Sequence, residues 1–472
     1  MTGRALGLRL LHLAAAGLAV WSFMAPGARA LEAAPPGPTD KAAVEAPAAA
    51  DVNAVVSSGG LQMCGANAGS SATTSSPGFT VLATCQLTAT QSGHVLVLAN
   101  ASVGLVNSGD SYEAWFRVGF DQGTTGDDRI DRFVDAHPDS SKFTNGDGTD
   151  RGVAISAFYT VTAGVHTVNF LFARSQGSNT VKAYSPSLNV LFVPDGADVL
   201  LCGQYANGNW SISSTSLIST VTCTLNAPYP GMLFVSADAW MGLANGTSPR
   251  YTSVTEIYLN GTNGGSVAPR YTDVFTNTYT NNGVDATVAA TQVFTVSKGV
   301  QQVSLMVRRD QGTGSVQLRD ASLVALFVPD NSAVANVCQA HTYPSWETTS
   351  STPASMASCQ LSVPQTSPVF ISGSFGVGLP PSSTAIEGRF GFTYDLYSLL
   401  PSSGRYINSY PDSGDATDES AAISNVLTLA PGMHTFHLLG ARFAGSGTVK
   451  VWYPVLFVLV PRLNVFVPLA IE

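Results

Sequence analysis

The chain has 472 residues, 45% of them hydrophobic and only 11% charged, with a formal net charge of −9. An ordinary globular protein carries roughly 25% charged residues, so this composition excludes a charge-rich disordered chain and leaves ample material for packed cores. The acidic balance argues against a nucleic-acid partner, because phosphate binding needs clustered Lys and Arg.

Read from its start, the chain opens with Arg4 and Arg9, an apolar stretch Leu10 to Met24, and Ala28-Arg29-Ala30. A short cationic region, a 15-residue apolar run and a small-x-small site make a secretory signal peptide over 1–30, since a spanning helix needs about 20 apolar residues. Residues 31–51 are rich in Ala and Pro without an apolar period, and read as a linker. No later run is long enough to span a membrane. The apolar tail from Val455 to Ile471 is interrupted by Pro461, Arg462 and Pro468 and reads as strand.

The six cysteines organise the rest. Cys64 and Cys85, Cys202 and Cys223, Cys338 and Cys359 are each 21 residues apart, and the pairs recur after 138 and 136 residues. The repeat selects the pairing Cys64–Cys85, Cys202–Cys223 and Cys338–Cys359 out of fifteen arithmetical possibilities, and export favours disulfides over zinc. The ends of the copies agree too. Gly164 to Arg174, Gly299 to Arg309 and Gly432 to Arg442 keep one spacing, and Leu191-Phe-Val-Pro194, Leu326-Phe-Val-Pro329 and Phe457 to Pro461 follow. Three tandem domains are therefore expected: 52–195, 196–330 and 331–472.

Each copy reads as β throughout. Val95-Leu-Val-Leu, Ala114-Trp-Phe-Arg-Val, Val165 to Phe172 and Val181 to Val193 are β-branched or aromatic runs of strand length, separated by Gly, Asn, Asp, Ser and Pro. The predicted fold is all-β: three tandem antiparallel β-sandwiches with one disulfide each. A jelly roll is favoured over an immunoglobulin-like sandwich, because each copy exceeds about 100 residues and its cysteines lie close together near its start, which places them on neighbouring strands rather than across opposite sheets. An outer-membrane barrel would have to accommodate a threefold disulfide repeat, which is hard to place in one barrel.

Several side chains recur between copies. Glu113, Glu256 and Glu387 lie 49, 54 and 49 residues after the first Cys, and Arg174, Arg309 and Arg442 recur downstream. The expectation is one ion pair per sandwich, Glu113–Arg174, Glu256–Arg309 and Glu387–Arg442, fixing strand register. A second recurrence is Arg132-Phe-Val-Asp135, Arg270-Tyr-Thr-Asp273 and Arg405-Tyr-Ile-Asn408. It reads as a strand whose aromatic faces the core, or as an Arg–aromatic stack open to a sugar or partner chain. His434 matches His166 in the first copy but Gln301 in the second, and so reads as a tolerant strand position.

Asn145, Asp147 and Asp150, and in the third copy Asp412, Asp415 and Asp418, alternate oxygen ligands in turns. Calcium is the one cofactor they suggest, although the EF-hand spacing is absent and a solvated turn is the plainer reading. Asn100, Asn209, Asn245 and Asn260 fit the glycosylation pattern.

Enzyme signatures are missing: there is no Gly-x-Ser-x-Gly, His-Glu-x-x-His, Walker or dinucleotide pattern. The sequence therefore predicts a secreted or cell-surface, non-enzymatic binding or adhesion protein. Its partner would be a surface glycan or a protein, met through Trp210, Trp240 or Trp346. The alternative is a self-assembling structural subunit of an appendage, envelope layer or matrix. A glycoside hydrolase needs only two carboxylates about 5–9 Å apart and is the least favoured reading.

Overall fold

The computed structural model of the chain describes residues 51–53, 57–58, 60–67, 69, 71–105, 112–127, 130–136, 151–242, 251–262, 269–274, 286–312, 314–378, 385–395, 399–400, 403–409 and 419–462. The signal-peptide and linker expectations fall outside them, apart from the backbone at Asp51. Among the described residues no helix is long and apolar enough to cross a membrane.

The second copy shows the plan. One sheet takes Leu200–Ala206, Val316–Pro329, Gly231–Gly242 and Ala286–Val296 in that spatial order, and Trp210–Ile212 also pairs with Val316–Pro329. The facing sheet takes Ile218–Ala227, Gly299–Gln311, Tyr251–Leu259 and Arg270–Val274. All pairings are antiparallel. With Trp210–Ile212 set aside and the other eight strands numbered along the chain, the first sheet runs first, eighth, third, sixth and the other second, seventh, fourth, fifth, which is the jelly roll. The first copy repeats the plan with Leu61–Asn67, Val181–Pro194, Gly93–Leu105 and Arg151–Val161 over Thr80–Ala89, Gly164–Gly177, Tyr112–Phe120 and Arg132–Ala136. The third does so with Ala335–His341, Val449–Pro461, Ser367–Gly378 and Glu419–Leu429 over Ala354–Val363, Gly432–Gly445, Ile386–Tyr394 and Arg405–Ser409.

Each disulfide ties the first strand of its copy to the second, at Cα separations of 5.9, 6.2 and 6.0 Å. Those two strands belong to opposite sheets. The cysteines thus do bridge the sandwich, which corrects the ground on which the jelly roll was favoured while leaving the topology as expected. They are close in sequence because the jelly roll sends its first two strands to different sheets.

Each sandwich has its own core, and a fourth apolar cluster draws on all three copies. The eighth strand of each copy feeds both. Leu188, Val190 and Phe192 point into the first sandwich, while Leu191 and Val193 point into the shared cluster. Leu323, Ala325 and Phe327 alternate in the same way with Val324, Leu326 and Val328, and Leu456 and Val458 with Val455, Phe457 and Leu459. A strand apolar on both faces is buried on both, which is why these segments read as unbroken runs. In the shared cluster Phe234 stacks on Phe457 at 4.5 Å and meets Phe370 edge-on at 6.3 Å. Burial of each such side chain stabilises by about 1.5–3 kcal/mol, so this cluster binds the sandwiches into one body.

The sixth strands, Arg151–Val161, Ala286–Val296 and Glu419–Leu429, each touch the other two. They are sheet edges meeting around a pseudo-threefold axis. Side chains of the neighbouring copies cover them: Thr287 Oγ1 donates to the Gly152 carbonyl at 2.8 Å, and the Ala289 N–H donates to Ser420 Oγ at 2.9 Å. Bare edges of this kind invite foreign strands, and here each is covered by the chain itself.

Candidate functional site

The seams between copies carry a buried arginine that recurs three times among the described residues. Arg132, Arg270 and Arg405 each open the fifth strand of their copy and are fully buried. Each reaches into the next copy around the axis. Arg132 Nε donates to Asp238 Oδ1 at 2.8 Å, and its Nη2 to the same oxygen and to Ser322 Oγ at 3.0 Å. Arg270 Nη2 donates to Ser374 Oγ at 2.9 Å and to the Tyr453 carbonyl at 3.1 Å. Arg405 closes the ring on the first copy. Its Nη1 donates to the Ser185 carbonyl at 2.6 Å, and its Nη2 to Asn100 Oδ1 and to Ser187 Oγ at 2.9 Å.

The receiving residues Asn100, Asp238 and Ser374 all lie 36 positions after the first Cys of their copy. Each also accepts a backbone N–H from the sixth strand of the copy that sends the arginine. Ser156 N donates to Asp238 Oδ2 at 2.6 Å, Thr291 N to Ser374 Oγ at 2.8 Å, and Ser424 N to Asn100 Oδ1 at 3.4 Å. One polar side chain thereby satisfies a buried cation and an edge amide together, both expensive to leave unpaired. The backbone is shaped to help. Ser185, Asp320 and Tyr453 occupy matching places in the eighth strands with φ of 44°, 46° and 47°, a conformation that bulky residues adopt only when the surroundings hold them there. Two of these bulges, at Ser185 and Tyr453, turn a carbonyl onto the incoming guanidinium.

Burial sets the electrostatics. It pushes the Asp238 carboxyl up, against the pull of Arg132 and of the hydrogen bonds from Ser156 and Ser322. It lowers the Arg270 and Arg405 guanidinium groups to about 9. Glu419, the first residue of its sixth strand, lies 3.4 Å from Arg151 of the first copy. Burial raises its pKa; Arg151 opposes that and Asp273 of the second copy adds to it.

The aromatic of the Arg-aromatic motif is half-buried and outside the sandwich cores, and in the first and third copies it lies at a seam. Phe133 stacks on Trp115 at 5.4 Å and meets the tilted ring of Trp240 of the second copy at 4.4 Å. Tyr406 faces Tyr184 of the first copy at 6.3 Å. Cations sit over neighbouring rings: Arg319 over Trp240 at 4.6 Å, Lys182 over Tyr184 at 4.4 Å and Lys450 over Trp452 at 4.1 Å. Of the three tryptophans named from sequence, Trp240 belongs to this rim, while Trp210 and Trp346 lean on their own cores, so the three are not one group.

The expected Glu–Arg pairs are not joined. Arg174 stands across from Ala114 and Glu113 across from Gln176; Arg309 stands across from Ser253, three positions from Glu256; Arg442 stands across from Gly388, one position from Glu387. Odd offsets on a pleated strand put the two side chains on opposite faces. The arginines recur for another reason. Their N–H groups donate at 2.9 Å to the carbonyls of Ser76, Ser214 and Ser350. Their guanidinium groups cap the hairpin that follows, at Ser178 and Asn179, at Gly314 and at Gly447.

His434 belongs to a turn that recurs in all three copies. Asp121, Asn260 and Asp395 follow the fourth strand of each copy with φ of 54°, 51° and 56°. His166 Nδ1 lies 2.7 Å from Asp121 Oδ2 and His434 Nδ1 lies 2.6 Å from Asp395 Oδ2, while Asn260 Nδ2 donates to Gln301 Oε1 at 3.0 Å. Each His Nε2, like Gln301 Nε2, also meets a backbone carbonyl, of Thr162, Ala430 and Ser297. A His–Asp pair has been exchanged for a Gln–Asn pair in one turn. Burial alone would lower the imidazole pKa values, but the hydrogen bonds to Asp121 and Asp395 and to the carbonyls outweigh it and raise both.

The candidate calcium ligands Asn145, Asp147, Asp150, Asp412, Asp415 and Asp418 lie outside the described residues. Among the described residues no group of three His, Cys, Asp or Glu side chains could hold a metal ion. Asn100, read as a glycosylation site, is buried in the seam; Asn209 is exposed.

No family model and no curated protein matches the chain. Solved structures match it weakly. PNGF-II is 11% identical over 75% of this chain and 100% of its own, with a TM-score of 0.26. A triple jelly-roll protein from the turret assembly of an archaeal virus is 10% identical over 88% and 90%, with a TM-score of 0.19. The tandem CBM51 modules of a Streptococcus pneumoniae family 98 glycoside hydrolase are 10% identical over 54% and 82%, with a TM-score of 0.14. Likeness this distant carries no weight for function.

Proposed function

We propose that the chain is an extracellular, non-enzymatic binding protein whose three jelly rolls act as a single trivalent head. The supporting observation is the closed ring of seams. The buried arginines, the shared apolar cluster and the covered sixth strands hold the copies in fixed orientation, so a surface feature that the copies share is presented at set spacing. Fixed spacing converts modest single-site affinity into avidity toward a repetitive ligand, and a glycan-coated surface is such a ligand. The half-buried rings with cations at the seam rims, Trp240 with Arg319 and Trp452 with Lys450, are the contacts proposed to meet it.

The test is retention of purified 31–472 on a glycan array and on immobilised cell-surface polysaccharides, with and without calcium. Retention that falls at least tenfold in Trp240→Ala and Trp452→Ala supports the reading. Absence of retention, with large regular assemblies in light scattering, transfers support to the structural-subunit reading, which a partly open sheet edge in the third copy favours.

A further inference from the structure

We propose that the outer edge of Ala335–His341 is an acceptor for an added β-strand, and that its occupant is the C-terminal segment 463–472 of a second copy of this chain. This goes beyond the binding role and does not depend on it.

The three first strands make the case by contrast. Leu61–Asn67, Leu200–Ala206 and Ala335–His341 are each seven residues long and each pairs on its inner side with the eighth strand of its copy. In the first copy the outer side is occupied as well. Asp51–Asn53 pairs with it antiparallel, Asp51 opposite Asn67 and Asn53 opposite Gly65, and all seven residues of Leu61–Asn67 are buried. The first copy therefore shows that this edge takes a strand. The second copy's edge is held differently: the Tyr205 hydroxyl bonds both the N–H and the carbonyl of Phe158, and Gly203 packs against the same phenylalanine. In the third copy, among the described residues, Ala335–His341 pairs with Val449–Pro461 alone, and only Ala335 is buried. An edge with unpaired amides and carbonyls is a template for β-augmentation.

The occupant is suggested by sequence and reach. Leu463-Asn-Val-Phe-Val-Pro468 repeats, one residue shorter, the Leu188-Asn-Val-Leu-Phe-Val-Pro194 of an eighth strand, and residues 463–471 carry no charge. This is strand-forming sequence that follows the eighth strand of the third copy in the chain. Arg462 fastens its start beside Ala335: the Arg462 N–H donates to the Val334 carbonyl at 2.7 Å, Nε to Asn336 Oδ1 at 2.6 Å and Nη1 to the Ser332 carbonyl at 2.8 Å. An antiparallel strand on this edge must begin at the His341 end, about 23 Å away at ~3.3 Å per residue. Ten residues reach about 33 Å fully extended, so a chain's own segment would spend most of its length in getting there. The segment of a second molecule enters from the His341 end without that detour. Reciprocal exchange closes a dimer, and unreciprocated addition extends a fibre.

The experiment compares 31–472 with the chain ending at Arg462, by sedimentation velocity over a concentration series. A synthetic peptide of residues 463–472 and a scrambled control are added to the shortened chain under hydrogen exchange. The expected result is a mass of two chains or more for 31–472 and one for the shortened chain. The peptide, but not its scramble, should slow exchange at least tenfold at 335–341 and leave 61–67 unchanged. Equal masses for the two chains, or protection of 335–341 by both peptides or by neither, overturns the proposal.

Discussion

The seam between the first and second copies and the seam between the second and third share a backbone plan and differ in what receives the arginine. Arg132 meets a carboxylate at Asp238, whereas Arg270 meets a hydroxyl at Ser374 and the Tyr453 carbonyl. Both arginines are fully buried and both edge amides are satisfied. The geometry therefore resides in the strand edge and the bulged eighth strand, and the acceptor need only be polar and short. Coulombic attraction is an addition, set against the cost of burying a second charge.

The comparison is broken most severely by removing one half of the charged seam. Arg132→Leu leaves the Asp238 carboxylate buried without its cation, and Asp238→Ala strands both the guanidinium and the Ser156 amide. Each should cost about 3–5 kcal/mol in urea unfolding. Arg270→Leu frees a hydroxyl and a carbonyl in place of a carboxylate and should cost less, about 1–2 kcal/mol. If Arg270→Leu costs as much as Arg132→Leu, the uncompensated charge is not what matters. The transplant Ser374→Asp sharpens the point: it should fall within about 1 kcal/mol of the parent, since the gain in attraction offsets the new desolvation.

Smaller effects belong to the repeated caps. Arg174→Ala releases its hairpin and should cost about 1 kcal/mol by the same measurement. The His–Asp turns give a pH signature that the Gln–Asn turn lacks. A raised imidazole pKa in the folded state means the contribution is complete below about pH 6.5, where the unfolded imidazole titrates, and is lost as pH climbs through the folded value. The lowered Asp395 carboxyl loses its share as pH falls through the folded carboxylate pKa. Melting temperature should therefore fall more between about pH 6 and about pH 8 for the parent than for Asp121→Asn/His166→Gln/Asp395→Asn/His434→Gln. Equal slopes would remove the caps as its source.

Much of the fold was legible because it is local or repeated. Strand-length β-branched runs gave the class, and the threefold cysteine spacing gave the repeat. The seams were only half legible. The recurrence of Arg132, Arg270 and Arg405 was visible, but their direction was not, because several of their acceptors are carbonyls with no side-chain signature. Asn100, Asp238 and Ser374 did leave a mark, a polar residue at one fixed place in apolar third strands. The two-sided apolar pattern at Leu188–Val193 also carried the news of a second buried face. The Glu–Arg pairing failed because equal spacing in sequence does not say which face of a strand a residue occupies.

The seam that closes the ring joins the first copy to the last: Asn100 and Ser424, linked side chain to side chain, are 324 residues apart. Contacts of such long range form late, since the chain must order everything between them first. A chain emerging from its amino end therefore exposes the Arg405 acceptors at Asn100, Ser185 and Ser187, and part of the shared apolar cluster, until the third copy arrives. Assembly of this molecule waits on its last domain, and the interval before that arrival is when it is most open to mispairing with a neighbour in the same state.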